Sequence, residues 1–295
     1  RMRKKKHSDE RLSRCENFLY THEGEPMGDP TEPFGMKGGK VFLEIGAGKG
    51  AFACGMAARH TDACYYAMER VTDCVVIAAE RAASIGDGLK NLKFTIDTAD
   101  NLTKIFGEGT VDAIFLNFSD PWSKKGYAKR RLTHRRYLSV YMNLLRDGGV
   151  LRFKTDNVGL FDFSLEEIEA MGLVPNIVTR DLHTSEYNEG NIRTEYEENF
   201  SSQGIKINML EVRKPQGFTC EISPDLARDR KDFRAEKFCS IFILKQIKSE
   251  YFSTAHKRIK SSILLGKQIK IFEIVLFVQR KKFLCRLTTQ DAVFH

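Results

Sequence analysis

"VFLEIGAGKGAFACGMAARH", residues 41–60, places three glycines within five positions, between a short apolar run and a segment in which Ala53, Met56 and Ala57 recur at helical spacing. The run 41–45 is too short for a helix and is bounded by glycine, so it reads as a strand. Glycines in the turn that follows let the backbone bend tightly and approach a ligand closely. The stretch is therefore a strand, a tight turn and a helix. The same alternation continues along the chain. "ACYYAME" (63–69) is a second strand, followed by a helix over about 71–84. "LKFTI" (92–96) and "VDAIFLNF" (111–118) are strands three and four, a helix over about 133–145 ends at "RDGG", and "VLRFKT" (150–155) is strand five. A helix over 160–171, an extended "LVPNIVTRDL" and a last strand "IKINMLEV" (205–212) close the series. Strands alternating with helices predict an α/β fold with a doubly wound, mostly parallel sheet.

At 295 residues the chain has room for one domain and an appendage. The pattern divides it into a basic N-terminal arm and lead-in (1–39), the α/β domain (40–215) and a basic C-terminal extension (216–295) to which no function is assigned. The net charge of +8 is unevenly spread. Residues 216–295 carry 16 basic and 8 acidic side chains, leaving 31 of each among the other 215 residues. Nucleic-acid binding must therefore rest on local clusters rather than on overall charge. There are two: residues 1–14 hold seven basic against two acidic side chains, and residues 119–137 seven against one. No apolar run approaches the roughly 20 residues a membrane span needs. The N-terminal "RMRKKKH" leads into no apolar segment, so no secretory signal is expected. Seven cysteines, an odd number with no CxxC or Cys/His metal spacing, fit a reducing compartment. A cytoplasmic protein without metal is expected.

Candidate site residues lie at the strand ends, where open α/β sheets bind ligands. Glu44 precedes Gly46, Gly48 and Gly50. Their spacing is GxGxG rather than the GxGxxG of dinucleotide binders, and an acid before the first glycine suits a ligand bearing an ammonium group, such as the methionine end of S-adenosylmethionine. Glu69 follows Gly46 by 23 residues, near the offset of an acid that binds ribose hydroxyls. It could instead pair on the surface with Arg59 or Arg70. Strand three runs into "IDTAD", strand four into Asn117, Ser119 and Asp120, and strand five into Thr155, Asp156 and Asn157.

"NFSDPWSKKGYAKRRLTHRRY" (117–137) gives the substrate signal. A buried strand ending in an acid, a proline and the chain's one tryptophan, then a basic run, implies a partner lying over the strand end. Lys124, Lys125, Lys129, Arg130 and Arg131 are suited to RNA phosphates. Trp122 either stacks on a base or fills the core.

Taken together, "RMRKKKH", "LEIGAGKG", "NFSDPWSKK" with "KRRLT", "LRFKTDN" and "RTEYEENFSSQGIKI" closely resemble the bacterial tRNA (guanine-N7-)-methyltransferase family, from Arg1 to about Lys214. The resemblance implies a seven-stranded, Rossmann-like class I methyltransferase sheet, S-adenosylmethionine as cofactor, tRNA as partner, and methylation of guanine N7 in the tRNA variable loop. It implies cofactor-binding roles for Glu44, Glu69 and Asp120, joining the glycines and Asn117 at the strand ends, and a catalytic role for Asp120. It implies substrate contacts at Lys124, Asp156, Thr194, Glu195, Tyr196 and Glu197, beside the phosphate contacts read above for Lys129, Arg130 and Arg131. The family has Asp-Ala after strand three; here Asp97, Thr98 and Ala99 occupy that region, with Thr98 at the acid's position. Two other classes fit parts of the pattern. A nicotinamide-dependent oxidoreductase would share the sheet and the Gly46/Glu69 pair but gives no reason for SDPW followed by a basic run. A non-catalytic RNA-binding module would bind tRNA without methyl transfer.

Overall fold

A computed structural model describes residues 8–22, 24–85 and 89–221. The basic stretch 1–7 and nearly all of the extension, 222–295, lie outside the described residues. Seven strands form one sheet in the order β3-β2-β1-β4-β5-β7-β6. They are β1 (Lys40–Ile45), β2 (Ala63–Met68), β3 (Leu92–Thr95), β4 (Val111–Asn117), β5 (Leu145–Thr155), β6 (Ile177–Thr179) and β7 (Asn208–Arg213). β1 to β5 run parallel, whereas β7 is inserted antiparallel between β5 and β6. The helices are α1 (Ser8–Ser13), α2 (Ala51–Arg59), α3 (Thr72–Ser84), α4 (Arg135–Leu144), α5 (Val158–Ala170) and α6 (Glu195–Ser201).

Strand alternation sorts side chains between two cores. Val41, Leu43 and Ile45 face one side with Tyr141 and Phe161 of α4 and α5. Phe42 faces the other, where α2 and α3 pack through Phe52, Ala53, Val75 and Ala78 against Tyr65 and Phe115. Inner strands covered on both faces read as continuous apolar runs, and β2 is buried along its whole length. The turn after β1 has left-handed glycines at Gly46, Gly48 and Gly50 (φ 83°, 55° and 75°). Gly50 has a packing reason as well: a Cβ there would stand 2.7 Å from the Cβ of Ala78, so α2 and α3 touch through it.

The departures from the sequence reading are local. "RDGG" does end α4, but it lies inside β5 as a bulge, and the pairing with β4 jumps from Val111↔Leu145 to Ala113↔Val150. Gly149 allows this, since a Cβ would come within 2.9 Å of the Arg146 carbonyl and 3.0 Å of the Asp112 carbonyl. Only three residues of "LVPNIVTRDL" form a strand. α6 was not expected; Thr194 caps it, its Oγ1 accepting from the Glu197 N–H at 2.9 Å. The lead-in is not separate from the domain. Arg11 of α1 pairs with Glu80 of α3, and Leu12, Cys15, Phe18 and Leu19 pack on the α2/α3 core. Beyond 215, Phe218 and Cys220 still pack against the α4/α5 core.

Candidate active site

The parallel strands β1 to β4 end side by side, so four polar groups follow one another across the sheet: Asp97, Glu69, Glu44 and Asn117 in the order β3-β2-β1-β4. At ~4.8 Å between strands this row spans roughly 14 Å. A cavity of about 340 Å³ opens over its inner half. Glu44, Gly46, Gly48 and Asn117 line it from the sheet, and Thr194, Glu195 and Tyr196 face them from α6.

Glu44 is the chemical centre of the cavity. It is buried; Oε1 accepts from Asn117 Nδ2 at 2.9 Å, while Oε2 has no hydrogen-bond partner among the described residues. Burial pushes its carboxyl up to about 7, against the opposing pull of the Asn117 hydrogen bond and the Lys154 charge. A buried carboxylate oxygen without a partner is costly to keep. It is matched to a ligand cation.

Glu69 does not pair with Arg59 or Arg70. Its two oxygens accept from the Gly48 N–H at 3.0 Å and the Val71 N–H at 2.9 Å, tying the glycine turn to the end of β2. A carboxylate has about four acceptor sites, so hydroxyl donors can still be received. Asp97 is engaged by His22 Nε2 at 2.6 Å, Asn101 Nδ2 at 2.7 Å and the Thr98 N–H at 2.7 Å. Burial alone would raise its pKa; these hydrogen bonds outweigh burial and hold it below the usual range. Thr98 is exposed and Ala99 buried beside it. The inner half of the row thus presents a glycine cradle and an acid awaiting a cation, and the outer half two acids with acceptor capacity. This donor set fits a cofactor with an ammonium end, a ribose and a base.

Beyond β4 the backbone is strained. Phe118 and Trp122, which flank Ser119-Asp120-Pro121, have φ of 52° and 42°, a region costly for bulky side chains. Ser119 Oγ is buried without a partner among the described residues. Asp120 is exposed and lies 3.4 Å from Arg70, the residue after Glu69. Lys124 and Lys129 are exposed, and Asp156 is half-buried after β5. Arg130 lies over the rings of both Trp122 (5.1 Å) and Tyr127 (4.7 Å), which are themselves edge to face. Trp122 is thus a half-exposed part of this loop, not a core filler.

Three residues expected at contacts sit otherwise than at the cavity or the outer face. Arg131 is turned inward: its guanidinium donates to the Pro121 and Trp122 carbonyls at 2.9 and 3.2 Å and lies over the Phe163 ring, so it braces the loop instead of meeting phosphate. Glu197 is fully buried; it pairs with Lys154 at 2.6 Å, His183 at 2.8 Å and Asn191 at 2.6 Å. Gly50 packs α2 on α3 and does not line the cavity. Tyr196 is 62% exposed and stacks on Phe118 with ring centroids 6.2 Å apart. Glu195 pairs with Arg81 and approaches Lys49 at the mouth of the cavity. Sequence reading missed Arg70, Arg81, Lys154, His183 and Asn191. All act across long sequence separations, and only the helix-cap pattern Thr194/Glu197 gave a local sign that α6 exists.

The sheet order, with its antiparallel β7, and the glycine cradle at the end of β1 define a class I, S-adenosylmethionine-dependent methyltransferase fold. Residues 38–210 match the profile of a family described as "Putative methyltransferase", and the chain belongs to that methyltransferase family. The match lies within the segment that resembles the bacterial tRNA (guanine-N7-)-methyltransferases, and the cofactor is S-adenosylmethionine. Similar solved structures include the 16S rRNA methyltransferase KamB, at 12% identity and TM-score 0.47, covering 73% of this chain and 96% of that one. Another is an antibiotic-related methyltransferase, at 16% identity and TM-score 0.43, covering 72% and 96%. A third is phosphoethanolamine N-methyltransferase 2 from Haemonchus contortus in complex with S-adenosyl-L-methionine, at 14% identity and TM-score 0.39, covering 70% and 53%. Among the described residues no helix is long and apolar enough to cross a membrane.

Proposed function

We propose that the protein transfers the methyl group of S-adenosylmethionine to N7 of a guanine in tRNA, in the variable loop to which the family resemblance points. The observation that carries this reading is the strained loop 118–122. It holds Asp120 next to the cofactor row and leads directly into the exposed Lys124, Lys129 and the Arg130–Trp122–Tyr127 cluster. Glu44 binds the cofactor's ammonium, Gly46 and Gly48 let the backbone approach it, and Glu69, with Asp97 beyond it, receives the ribose and base end. Asn117 orients Glu44.

When bound, S-adenosylmethionine supplies an electrophilic methyl group on a sulfonium. Guanine N7 carries an in-plane lone pair and no proton, so the chain needs no base to activate it. Its task is to place N7 in line with the methyl group, about 3 Å away and free of water. Asp120 accepts from the guanine N1–H and amino group and offsets the positive charge that grows on the purine, which stabilises the transition state more than the ground state. Arg70 holds Asp120 until the base arrives. Lys124, Lys129 and Arg130 take phosphates, Trp122 and Tyr127 offer stacking faces, and Tyr196 covers the cavity. The reading is tested by incubating the protein with unmodified tRNA and methyl-labelled cofactor and mapping the product. Label at guanine N7 is expected; label on another base or on no RNA overturns it. A nicotinamide enzyme would bind NAD instead, and an RNA-binding module would retain tRNA without label.

A further inference from the structure

Lys154 is buried near the end of β5, 1% exposed, with its ammonium 2.6 Å from Glu197. A buried ammonium is retained against a large desolvation cost only with good partners. All of its hydrogen bonds go to one segment: Glu197 Oε2 at 2.6 Å, Asn191 Oδ1 at 3.1 Å and the Ile192 carbonyl at 3.1 Å. That segment, 191–197, covers the cofactor cavity through Thr194, Glu195 and Tyr196. On its other side Lys154 approaches Phe52, which lines the cavity. Its Nζ lies 5.1 Å from the Phe52 ring centroid. It is paired in register with Asn117, which donates to Glu44, and its charge acts on Glu44.

We propose that Lys154 is a positioning residue that couples occupancy of the cofactor cavity, through Glu44 and Asn117, to the seating of segment 191–197 over it. Above about pH 7, where Glu44 is ionised, Lys154 in the ligand-free protein shares its charge between two carboxylates, Glu197 in contact and Glu44 beyond it. A ligand ammonium at Glu44 Oε2 neutralises one of them, leaving Glu197 as the sole counter-charge and drawing α6 down. By reciprocity, the seated segment must raise affinity for the ligand by the same factor. The outer pairs of Glu195 with Arg81 and Lys49 are half-exposed and add little to this. The inference rests on the cavity being the cofactor site, and not on the identity of the RNA.

The test uses S-adenosylhomocysteine and no RNA, at pH 8, where Glu44 is ionised before the ligand binds. In the wild type, saturating ligand should slow amide exchange in residues 191–201 at least about fivefold, as well as in the glycine turn. In Lys154→Met/Glu197→Gln, which removes both charges together, binding by calorimetry should weaken about tenfold, within the usual range of coupling between sites. Exchange in 191–201 should then no longer respond to ligand. Lys154→Met alone, which leaves Glu197 without its ammonium, should melt at a lower temperature than the double variant. A residue that only supported the fold would lower the melting temperature and leave the ligand response intact. The proposal is overturned if wild-type 191–201 ignores the ligand, a measurement that does not depend on any variant folding. It is equally overturned if the double variant binds as tightly and still responds. Absence of ligand binding at the glycine turn would remove the cofactor reading and this inference together; binding there without a response at 191–201 removes this inference alone.

Discussion

At the residue scale, Glu44 and Asp120 carry opposite kinds of demand. Glu44 titrates near 7 because burial penalises its charge, and the Asn117 hydrogen bond and the Lys154 charge only partly offset this. A folded-state value above the ordinary 4.5 means that the folded chain holds a proton the unfolded chain has released. The stability it contributes is therefore complete below the unfolded value and is lost as pH rises through about 7. Glu44→Gln, which is never charged, should make the ligand-free protein more stable than wild type by ~1–3 kcal/mol at pH 8 and by much less at pH 5. Denaturant melts at the two pH values check this; a gain of the same size at both would count against it. The same substitution should abolish tight cofactor binding. In the wild type a ligand ammonium favours the ionised acid, so binding near pH 7 should release about half a proton, measurable by calorimetry in buffers of different ionisation enthalpy. Asp120, by contrast, is asked for charge and position rather than for proton transfer. Asp120→Asn puts a donor where the guanine also donates, and turnover on tRNA should fall roughly 10²-fold or more while cofactor binding survives in part. At saturating cofactor the wild-type rate should not follow a base titrating at Asp120, since N7 has no proton to give. A near-wild-type rate in Asp120→Asn would remove it from the mechanism.

At the scale of elements, the loop from Asn117 to Arg131 combines strain, bracing and charge. Arg131 braces it from inside, whereas Lys129 and Arg130 face outward. Lys129→Ala/Arg130→Ala should flatten the salt dependence of tRNA binding by about two phosphate contacts. Arg131→Ala should leave that slope nearly unchanged and lower stability by ~1 kcal/mol through two lost hydrogen bonds that are partly exposed. Filter binding across a salt series, with melts of each variant, separates the two; a slope change in Arg131→Ala equal to that of the pair would restore it to the phosphate face. This difference marks what the sequence could say. The acids at strand ends were readable because a parallel sheet delivers each strand's last residue to one edge, and apolar runs locate the strands. Glu44, Asn117 and the glycines could be placed in this way. A run of like charges has no such periodicity, so nothing local tells Arg131 from Arg130. Glu197 and Lys154 were misplaced or missed for a similar reason: their pairing spans 43 residues and depends on α6, a helix too short to show a period. "RDGG" was read correctly as the end of a helix, but its bulge is set by the neighbouring β4 strand.

At the scale of the whole molecule, the sheet would end at β3 with an open edge, and such an edge invites pairing with another chain. The lead-in blocks it. Leu19 bridges to Phe94, and the Tyr20 N–H donates to the Phe94 carbonyl at 2.8 Å. His22 then reaches Asp97 at the outer end of the row of strand-end polar groups. Farther along, Met27 bridges to Phe106, and Tyr20 and Phe34 set their rings edge to face on Tyr66 in the α4/α5 core. The lead-in therefore wraps from one core to the other across the sheet edge, and both the fold and the setting of Asp97 depend on it. Deletion of residues 1–39 removes the Leu12, Cys15, Phe18 and Leu19 contacts on one side and those of Tyr20, Met27 and Phe34 on the other. At ~1.5–3 kcal/mol for each large apolar side chain fully buried, even partial burial of seven such residues exceeds the margin of a typical domain. The truncated chain should aggregate or melt more than about 10 °C lower. The more local variant His22→Ala leaves the apolar packing in place and frees one oxygen of Asp97. It should keep a melting temperature within a few degrees of wild type while altering cofactor affinity. Thermal melts and calorimetry on the two proteins check the division of labour. A truncated chain as stable as the full one would show that residues 1–39 serve only as an arm, whereas an unchanged cofactor affinity in His22→Ala would place Asp97 outside the cofactor site.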